Sequence, residues 1–117
     1  MAPIVIGHRG APALAPENTL SGIREAQRAG LDWIELDVML TRDRVPVIFH
    51  DHRLERLTGT NGFVSQTLSD DVVGLSVSGY KSPEDTVPTL ADALALVAEL
   101  ALNLSLEVKV NRLAHGR

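Results

Sequence analysis

Short segments of this chain follow one of two hydrophobic patterns, the first typical of β-strands and the second typical of α-helices. Four segments are apolar throughout or alternate apolar with polar residues, as strands do, and they comprise residues 4–6, 33–40, 45–49 and 104–110. Two segments carry apolar residues at helical spacing. The first comprises residues 19–29, with Asn18 as the expected cap, and the second is a helix that begins after the expected cap Thr89. The first strand, being wholly apolar, is expected to be buried. The order strand, helix, strand, strand, helix, strand predicts right-handed βαβ units and a mostly parallel sheet.

The second predicted strand shows the clearest division between its two faces. Its alternate apolar residues point to one side, whereas Glu35 and Asp37 point together to the other side. A turn and a returning strand follow, and this combination predicts a β-hairpin. A turn centred on Asp43 and Arg44 would place Asp37 opposite His50, within side-chain contact distance.

A segment without regular periodicity separates the returning strand from the second helix. Residues 51–87 are rich in Gly, Ser, Thr and Asp, and we interpret them as an irregular insertion. A closed (β/α)₈ barrel takes about 250 residues, and this chain has 117 residues. The order of elements and the length together predict an α/β fold that supplies roughly half of such a barrel.

Composition narrows the classes of partner and of chemistry. The net charge is −4 and aromatic residues make up 3% of the chain, so neither charge nor base stacking favours a nucleic-acid partner. Cysteine is absent, which excludes disulfides, thiolate zinc sites and cysteine nucleophiles. The longest apolar region, residues 94–106, is interrupted by polar residues and is too short for stable membrane insertion. The N-terminus shows no signal-peptide pattern, so we expect a cytoplasmic protein.

Polar residues with catalytic potential gather where the predicted strands end. His8 and Arg9 follow the first strand; a histidine can transfer protons, and an arginine can bind an anionic oxygen. Glu35 and Asp37 share one face of the second strand, and charged residues that face a barrel interior need a partner such as a divalent cation. Taken one at a time, these residues are explained more simply by a polar loop and by a solvated strand face.

Two further groups lie at the ends of the later strands. His50 ends the returning strand, and Glu107 and Lys109 share one face of the last strand, where a surface ion pair is the alternative explanation. Oxygen ligands without cysteine favour Mg²⁺ or Ca²⁺ over zinc. Because all four groups fall at strand ends of a βα pattern, where such folds place their active sites, together they predict one catalytic centre. His52 and His115 lack such a setting, and we interpret them as surface residues.

The same residues occur in an order that resembles the glycerophosphodiester phosphodiesterase family. The matching motifs extend from Ile4 to about Val110, and they are His8-Arg9-Gly10, Pro16-Glu17-Asn18-Thr19, residues 30–38 (GLDWIELDV), residues 47–51 (VIFHD), Pro88-Thr89-Leu90 and residues 106–109 (LEVK). Six spaced motifs are far more specific than any one of them. One difference is the hairpin turn, which usually reads Asp-Gly in that family and reads Asp43-Arg44 here.

This resemblance implies a fold and a role for each candidate residue. The fold would be the N-terminal half of a TIM-type (β/α)₈ barrel, a partial domain over residues 1–117 with the family's insertion at about residues 51–87. The implied cofactor is a divalent metal, Mg²⁺ or Ca²⁺. The implied roles are metal ligands (Glu35, Asp37 and Glu107), an acid/base pair (His8 and His50), and residues that bind the substrate phosphate (Arg9 and Lys109).

The implied reaction is metal-dependent hydrolysis of glycerophosphodiesters to glycerol 3-phosphate and an alcohol such as choline or ethanolamine. Two alternatives stay open. One is a non-catalytic fragment or interaction module that keeps the motifs, and the other is a related phosphodiesterase that acts on lysophospholipids. Half a barrel would also leave an edge of its sheet open, so we expect either a C-terminal half or a second copy of the chain to cover that edge.

Overall fold

The computed structural model of the protein describes residues 5–78 and 82–109. Within these residues the strands are β1 (Ile6–His8), β2 (Trp33–Leu40), β3 (Pro46–Ile48) and β4 (Asn103–Val108). The α-helices are α1 (Leu20–Arg28), α2 (Glu55–Thr58), α3 (Ser69–Val72) and α4 (Leu90–Glu99), and a 3₁₀ turn spans Val64–Gln66. None of these described helices has the length and hydrophobicity that crossing a bilayer requires.

The sheet is built around β2. This strand pairs in parallel with β1 near its start and with β4 along most of its length, and it pairs antiparallel with β3 near its end. The connection from β1 to β2 contains α1, and the connection from β3 to β4 contains α4. The βαβ order and the mostly parallel sheet expected from the sequence are therefore confirmed.

The main hydrophobic core lies where α1 and α4 cover one face of β2. Its buried members are Ile23, Ala26, Ile34, Leu36, Val38, Ile48, Ala93, Leu96 and Val97. Burial of each large apolar side chain of this kind stabilises the fold by about 1.5–3 kcal/mol. Since residues two apart on a strand share a face, burial of this set directs Glu35 and Asp37 to the opposite side of the sheet.

A second hydrophobic core lies beneath residues 51–87. Its buried members are Met39, Val47, Phe49, Leu54, Leu57, Val64, Val72, Val77 and Val87. The short helices α2 and α3 and the 3₁₀ turn contribute one of these side chains each. A segment in which each short helix or turn buries only one apolar side chain has no repeating hydrophobic period. For this reason the sequence pattern predicts only an irregular insertion.

The hairpin register expected from the sequence is wrong by one residue. Val38 pairs with Ile48, and the N–H of Phe49 donates to the carbonyl of Asp37 at 3.0 Å. Phe49 and not His50 therefore lies opposite Asp37. The cause is a three-residue loop in place of a two-residue one, in which Arg44 adopts a left-handed conformation with φ of 66°.

Replacing Arg44 by glycine is expected to raise the free energy of unfolding by about 0.5–1 kcal/mol. A residue with a Cβ is strained in the left-handed region, and glycine relieves that strain while losing part of the gain to its greater freedom in the unfolded chain. Arg42→Gly is the control. Arg42 occupies the same loop without a positive φ, so this substitution should lower the free energy of unfolding. Urea unfolding measures both variants. A loss of stability in Arg44→Gly equal to that in Arg42→Gly would contradict this reading of the turn.

Thr19, and not Asn18, caps the first long helix. The hydroxyl of Thr19 accepts a hydrogen bond from the N–H of Gly22 at 3.1 Å. Asn18 has a positive φ of 55°, and its side chain bonds to Asp37 instead. The cap expected for the second helix is confirmed, since the hydroxyl of Thr89 accepts from the N–H three residues later.

The outer strands of the described sheet expose apolar side chains. The expectation of a buried first strand is wrong for its described part, because Val5 is 60% exposed and Ile6 is 51% exposed; Ile4 lies outside the described residues. On β4, Leu106 is 39% exposed and Val108 is 71% exposed. Among the described residues β1 and β4 each pair only with β2, so each strand has one open side.

We expect the 117-residue chain to self-associate through this open sheet at micromolar concentration. Open strand edges and exposed apolar side chains are the features that native sheets cover. A charge placed at the edge by Val108→Lys should weaken the association, whereas Leu94→Lys, at an exposed position on α4, should leave it unchanged. Sedimentation with hydrogen exchange tests this. A monodisperse parent monomer with well-protected β4 amides would show the expectation to be wrong.

Candidate functional site

Three carboxylates converge on the face of the sheet that is turned away from the main core. Glu35 and Asp37 share this face because they are two residues apart on β2, and Glu107 joins them because it pairs with Asp37 in the parallel register of β4. One carboxylate oxygen of each residue lies within 4.8 Å of those of the other two. The side chain of Asp37 is only 1% exposed, whereas Glu107 is open to solvent. The sequence-predicted metal ligands are thus brought together.

Two cations flank these carboxylates. Arg9 Nε lies 3.6 Å from Asp37 Oδ2, and Lys109 Nζ lies 3.6 Å from Asp37 Oδ1. Lys109 also donates to Glu107 Oε2 at 2.7 Å, and this hydrogen bond is the main reason that the pKa of Lys109 is raised. Both residues predicted to bind phosphate are therefore beside the carboxylate cluster.

The cluster retains unsatisfied negative charge. Burial, and then the neighbouring charge of Asp37, raise the pKa of Glu35. Glu35 Oε2 and Asp37 Oδ1 are both buried, and neither accepts a hydrogen bond. Buried polar atoms without partners are costly, and a donor set made only of oxygens is the kind that Mg²⁺ and Ca²⁺ prefer. These residues therefore fit a hard divalent cation.

Asn18 holds the most buried of the three carboxylates. Its side-chain amide donates to Asp37 Oδ2 at 3.0 Å, and its side-chain carbonyl accepts from the N–H of Asp37 at 3.1 Å. Asn18 is itself 2% exposed, so this two-point contact is shielded from water. The contact occupies Oδ2, whereas Oδ1 accepts no hydrogen bond and lies 3.6 Å from Lys109 Nζ. The role expected for Asn18 from the sequence, mainly that of a helix cap, is wrong.

The loop after β1 turns sharply and returns Arg9 to the site. His8 Nδ1 lies 3.1 Å from Glu35 Oε1, and the backbone N–H of Arg9 donates to the same oxygen at 3.3 Å. Arg9 has a positive φ of 57°, and Gly10 follows with φ of 89°. A Cβ on Gly10 would lie 3.1 Å from the backbone of Gly22, so both this close approach to α1 and the positive φ favour glycine here.

His50 lies at the edge of the same region. It lines an open cavity of about 400 Å³ together with Lys109, which connects it to the carboxylate cluster. Its Nδ1 lies 2.7 Å from Asp51 Oδ1. Hydrogen bonds from Arg56 are the main cause that lowers the pKa of Asp51 to about 2. His52 is exposed, as expected, and His115 lies outside the described residues.

Sequence reasoning missed Arg56, because nothing in its spacing relates it to His50. The family resemblance places Glu17 on the first active-site loop but gives it no partner. In the structure the carboxylate of Glu17 lies 3.4 Å from Arg9 and 3.1 Å from Arg56. Opposite charges on separate loops give no signal in sequence until the fold brings them together.

Comparison with known proteins places the chain among related sequences. The family model described as "Glycerophosphoryl diester phosphodiesterase family" matches residues 8–115. The chain is 34% identical over 112 residues to the glycerophosphodiester phosphodiesterase of Caldanaerobacter subterraneus subsp. tengcongensis, covering 93% of this chain and 46% of that protein. It is 33% identical over 109 residues to glycerophosphodiester phosphodiesterase 1 of Homo sapiens, covering 89% of this chain and 33% of that protein.

Solved structures agree with these relatives. An Oleispira antarctica phosphodiesterase in complex with the product sn-glycerol-3-phosphate matches with a TM-score of 0.84 and 39% identity, covering 92% of this chain and 44% of that chain. A glycerophosphodiester phosphodiesterase from Agrobacterium tumefaciens matches with a TM-score of 0.84 and 31% identity, covering 98% and 51%. The expected half of a TIM-type (β/α)₈ barrel is thus confirmed. The chain spans about half the length of these structures or less.

Proposed function

The chain belongs to the glycerophosphoryl diester phosphodiesterase family, and from this premise we propose that it hydrolyses glycerophosphodiesters with the help of a divalent cation. The products would be glycerol 3-phosphate and an alcohol. The observation that carries the proposal is the cluster of Glu35, Asp37 and Glu107 with Arg9 and Lys109 beside it. Two buried oxygens of this cluster accept no hydrogen bond. A phosphodiester is anionic, and this arrangement combines sites for a cation and for anionic oxygens.

The three carboxylates would hold the ion, with Asn18 keeping Asp37 in place. When bound, the ion would offset charge on the phosphate and polarise it toward attack. Arg9 and Lys109 would each bind a non-bridging phosphate oxygen and so orient the phosphorus atom. Their positive charges also lower the repulsion that an anionic diester presents to an incoming nucleophile.

His8 and His50 would move the protons. One histidine takes a proton from the nucleophile, and the other gives a proton to the leaving alkoxide as its bond to phosphorus breaks. If the nucleophile is water, glycerol 3-phosphate forms directly. If it is the free glycerol hydroxyl next to the phosphate, a cyclic phosphate forms first, and water then opens the ring to give glycerol 3-phosphate. His50 is suited to this task because its Nδ1 contacts Asp51 and its Nε2 stays available.

We further infer that residues 51–87 belong to the same partial barrel domain as the rest of the chain. Their core includes Met39 of β2 and Val47 of β3, so the insertion packs directly on the sheet. The same segment supplies Asp51 and Arg56 next to His50. The insertion therefore forms one wall of the proposed site.

A substrate panel tests the proposal and separates it from its alternatives. Purified protein is incubated with glycerophosphocholine, glycerophosphoethanolamine and lysophosphatidylcholine, each with Mg²⁺, with Ca²⁺ and with a chelator. We expect glycerol 3-phosphate from the first two substrates only when metal is present. The product in the Oleispira antarctica complex supports glycerol 3-phosphate as the product here. Turnover of lysophosphatidylcholine alone would instead favour a lysophospholipid phosphodiesterase, and no turnover would favour a non-catalytic module.

A further inference from the structure

Arg56, on α2, joins two carboxylates from distant parts of the chain. Its Nε and Nη2 donate to Oδ2 and Oδ1 of Asp51 at 2.7 and 3.0 Å. Its Nη2 and Nη1 donate to Oε2 and Oε1 of Glu17 at 3.1 and 3.4 Å. Each carboxylate also contacts one residue of the proposed reaction, since Asp51 contacts His50 and Glu17 contacts Arg9. Arg56 thus stands at the centre of a chain of contacts that reaches both sides of the site.

We propose that Arg56 is a positioning residue that holds Asp51 in place and thereby fixes the tautomer and the ring orientation of His50. This inference rests on the proposed function, because it gives Arg56 a part in the reaction only through His50. Arg56 makes its contacts to the side chains of Asp51 and Glu17 and would not touch the substrate.

The contact between Asp51 and His50 selects one tautomer. An ionised carboxylate accepts hydrogen bonds and donates none, so the 2.7 Å contact forms a hydrogen bond only when Nδ1 of His50 carries the proton. Nε2 then presents its lone pair to the cavity, ready to accept a proton. Asp51 is ionised at neutral pH, as aspartates ordinarily are. Arg56 holds this acceptor in place through its two hydrogen bonds to the carboxylate.

The contacts of Arg56 are stronger than those of an ordinary surface ion pair. Arg56 is about half exposed, and a single pair at such a position would fix little. Two-point contact between a guanidinium and a carboxylate, and networks of several charges, are the exceptions to that rule. The backbone is restrained as well, because Leu54 and Leu57 on either side of Arg56 are buried in the second core.

The first test measures the tautomer of His50 in metal-free protein without substrate. Nitrogen-15 NMR distinguishes protonated from unprotonated ring nitrogens, and the His50 signal is identified by its loss in His50→Gln. We expect the Nδ1-protonated form in the parent and a mixture of tautomers in Arg56→Gln. Arg56→Lys keeps the charge but lacks the two-point geometry, so it should lie between them. Arg28→Gln removes an exposed, ion-paired arginine from α1 and should leave the His50 signal unchanged.

The second test compares kcat with KM under metal-saturated conditions. Arg56→Gln should lower kcat by about 10–100-fold, the range typical of lost outer partners of site residues, with KM close to the parent value. Arg56→Lys should recover part of the loss, and Arg28→Gln should match the parent in both constants. The KM control matters because removing any arginine alters the attraction of an anionic substrate.

Three results would overturn the proposal. These are a parent protein that already shows mixed His50 tautomers, an Arg56→Gln variant with the parental tautomer, and an Arg56→Gln variant with the parental kcat. Failure of the proposed function is distinguishable from all three, because it appears as an inactive parent or as parental kcat in His50→Gln. In that event the NMR measurement still decides whether Arg56 sets the tautomer.

Discussion

Replacing Asp37 by asparagine is expected to abolish metal binding, and with it metal-dependent hydrolysis, while the fold survives. Asp37 Oδ1 is buried without a hydrogen-bond partner, and the carboxylate of Asp37 lies close to those of Glu35 and Glu107. An asparagine has the same shape and can still accept the amide hydrogen bond of Asn18 through its carbonyl oxygen. What it lacks is the charge that a hard divalent cation requires of its ligands. Glu35→Gln should have the same effect for the same reason.

Calorimetric titration with Mg²⁺ and with Ca²⁺ measures this loss, and thermal unfolding shows whether the fold survives. Added metal should raise the unfolding temperature of the parent protein but not that of either variant, because only binding to the folded state stabilises it. Glu99→Gln is the matched control, since Glu99 is an exposed carboxylate on α4 and should keep parental affinity. Unchanged affinity in both Asp37→Asn and Glu35→Gln would remove these residues as ligands.

Replacing His50 by alanine should lower kcat by about 10²- to 10⁴-fold, the usual contribution of a general acid or base. Alanine removes the nitrogen that would exchange a proton with substrate, and it leaves Asp51 still paired with Arg56. The chain around His50 should keep its position, because Phe49 and Leu54 are buried in the second core. His8→Ala should lose a similar factor, because the two histidines act on different protons of one reaction.

Turnover of glycerophosphocholine at saturating metal measures both histidine variants. The matched control is His52→Ala, because His52 is an exposed histidine two residues from His50 that lines the same cavity and is given no part in the reaction. It should retain a rate close to that of the parent. Near-normal turnover in His50→Ala would rule out proton transfer by that residue, and metal affinity measured on the same samples would show whether the carboxylate cluster had been disturbed.

The sequence was most informative where the two-residue hydrophobic period of a β-strand determined the structure. The predicted bounds of β2 agree with the structure because strict alternation over residues 33–40 has one good solution, with its apolar face on the core. The same period placed Glu35 and Asp37 together. Their proximity to Glu107 was inferred from the shared ends of parallel strands and from the family resemblance, since the register of β4 depends on packing that no local pattern encodes.

The local predictions were wrong where the same residues are compatible with two different conformations. The hairpin register was predicted wrongly because Asp43 and Arg44 suit the centre of a two-residue turn. In the structure Arg44 takes the left-handed position of a three-residue loop, where glycine is the usual residue. Asn18 was misread because asparagine suits both a helix cap and a left-handed residue that bonds elsewhere. In each case a tertiary contact decided the outcome, as with the hydrogen bonds from Asn18 to Asp37.

The residues of the proposed site are divided between segments that pack on two separate hydrophobic cores. The carboxylates lie on β2, three of whose apolar side chains belong to the first core, and on β4, whose Leu104 packs against that core. His50, Asp51 and Arg56 are carried by a segment of the chain that is packed on the second core. Segments with their own small cores can open as cooperative units well before the whole molecule unfolds. Partial opening of residues 51–87 would withdraw His50 while the metal ligands stay in register. Such a protein would pass, in mild denaturant, through a state that still binds metal and no longer turns over.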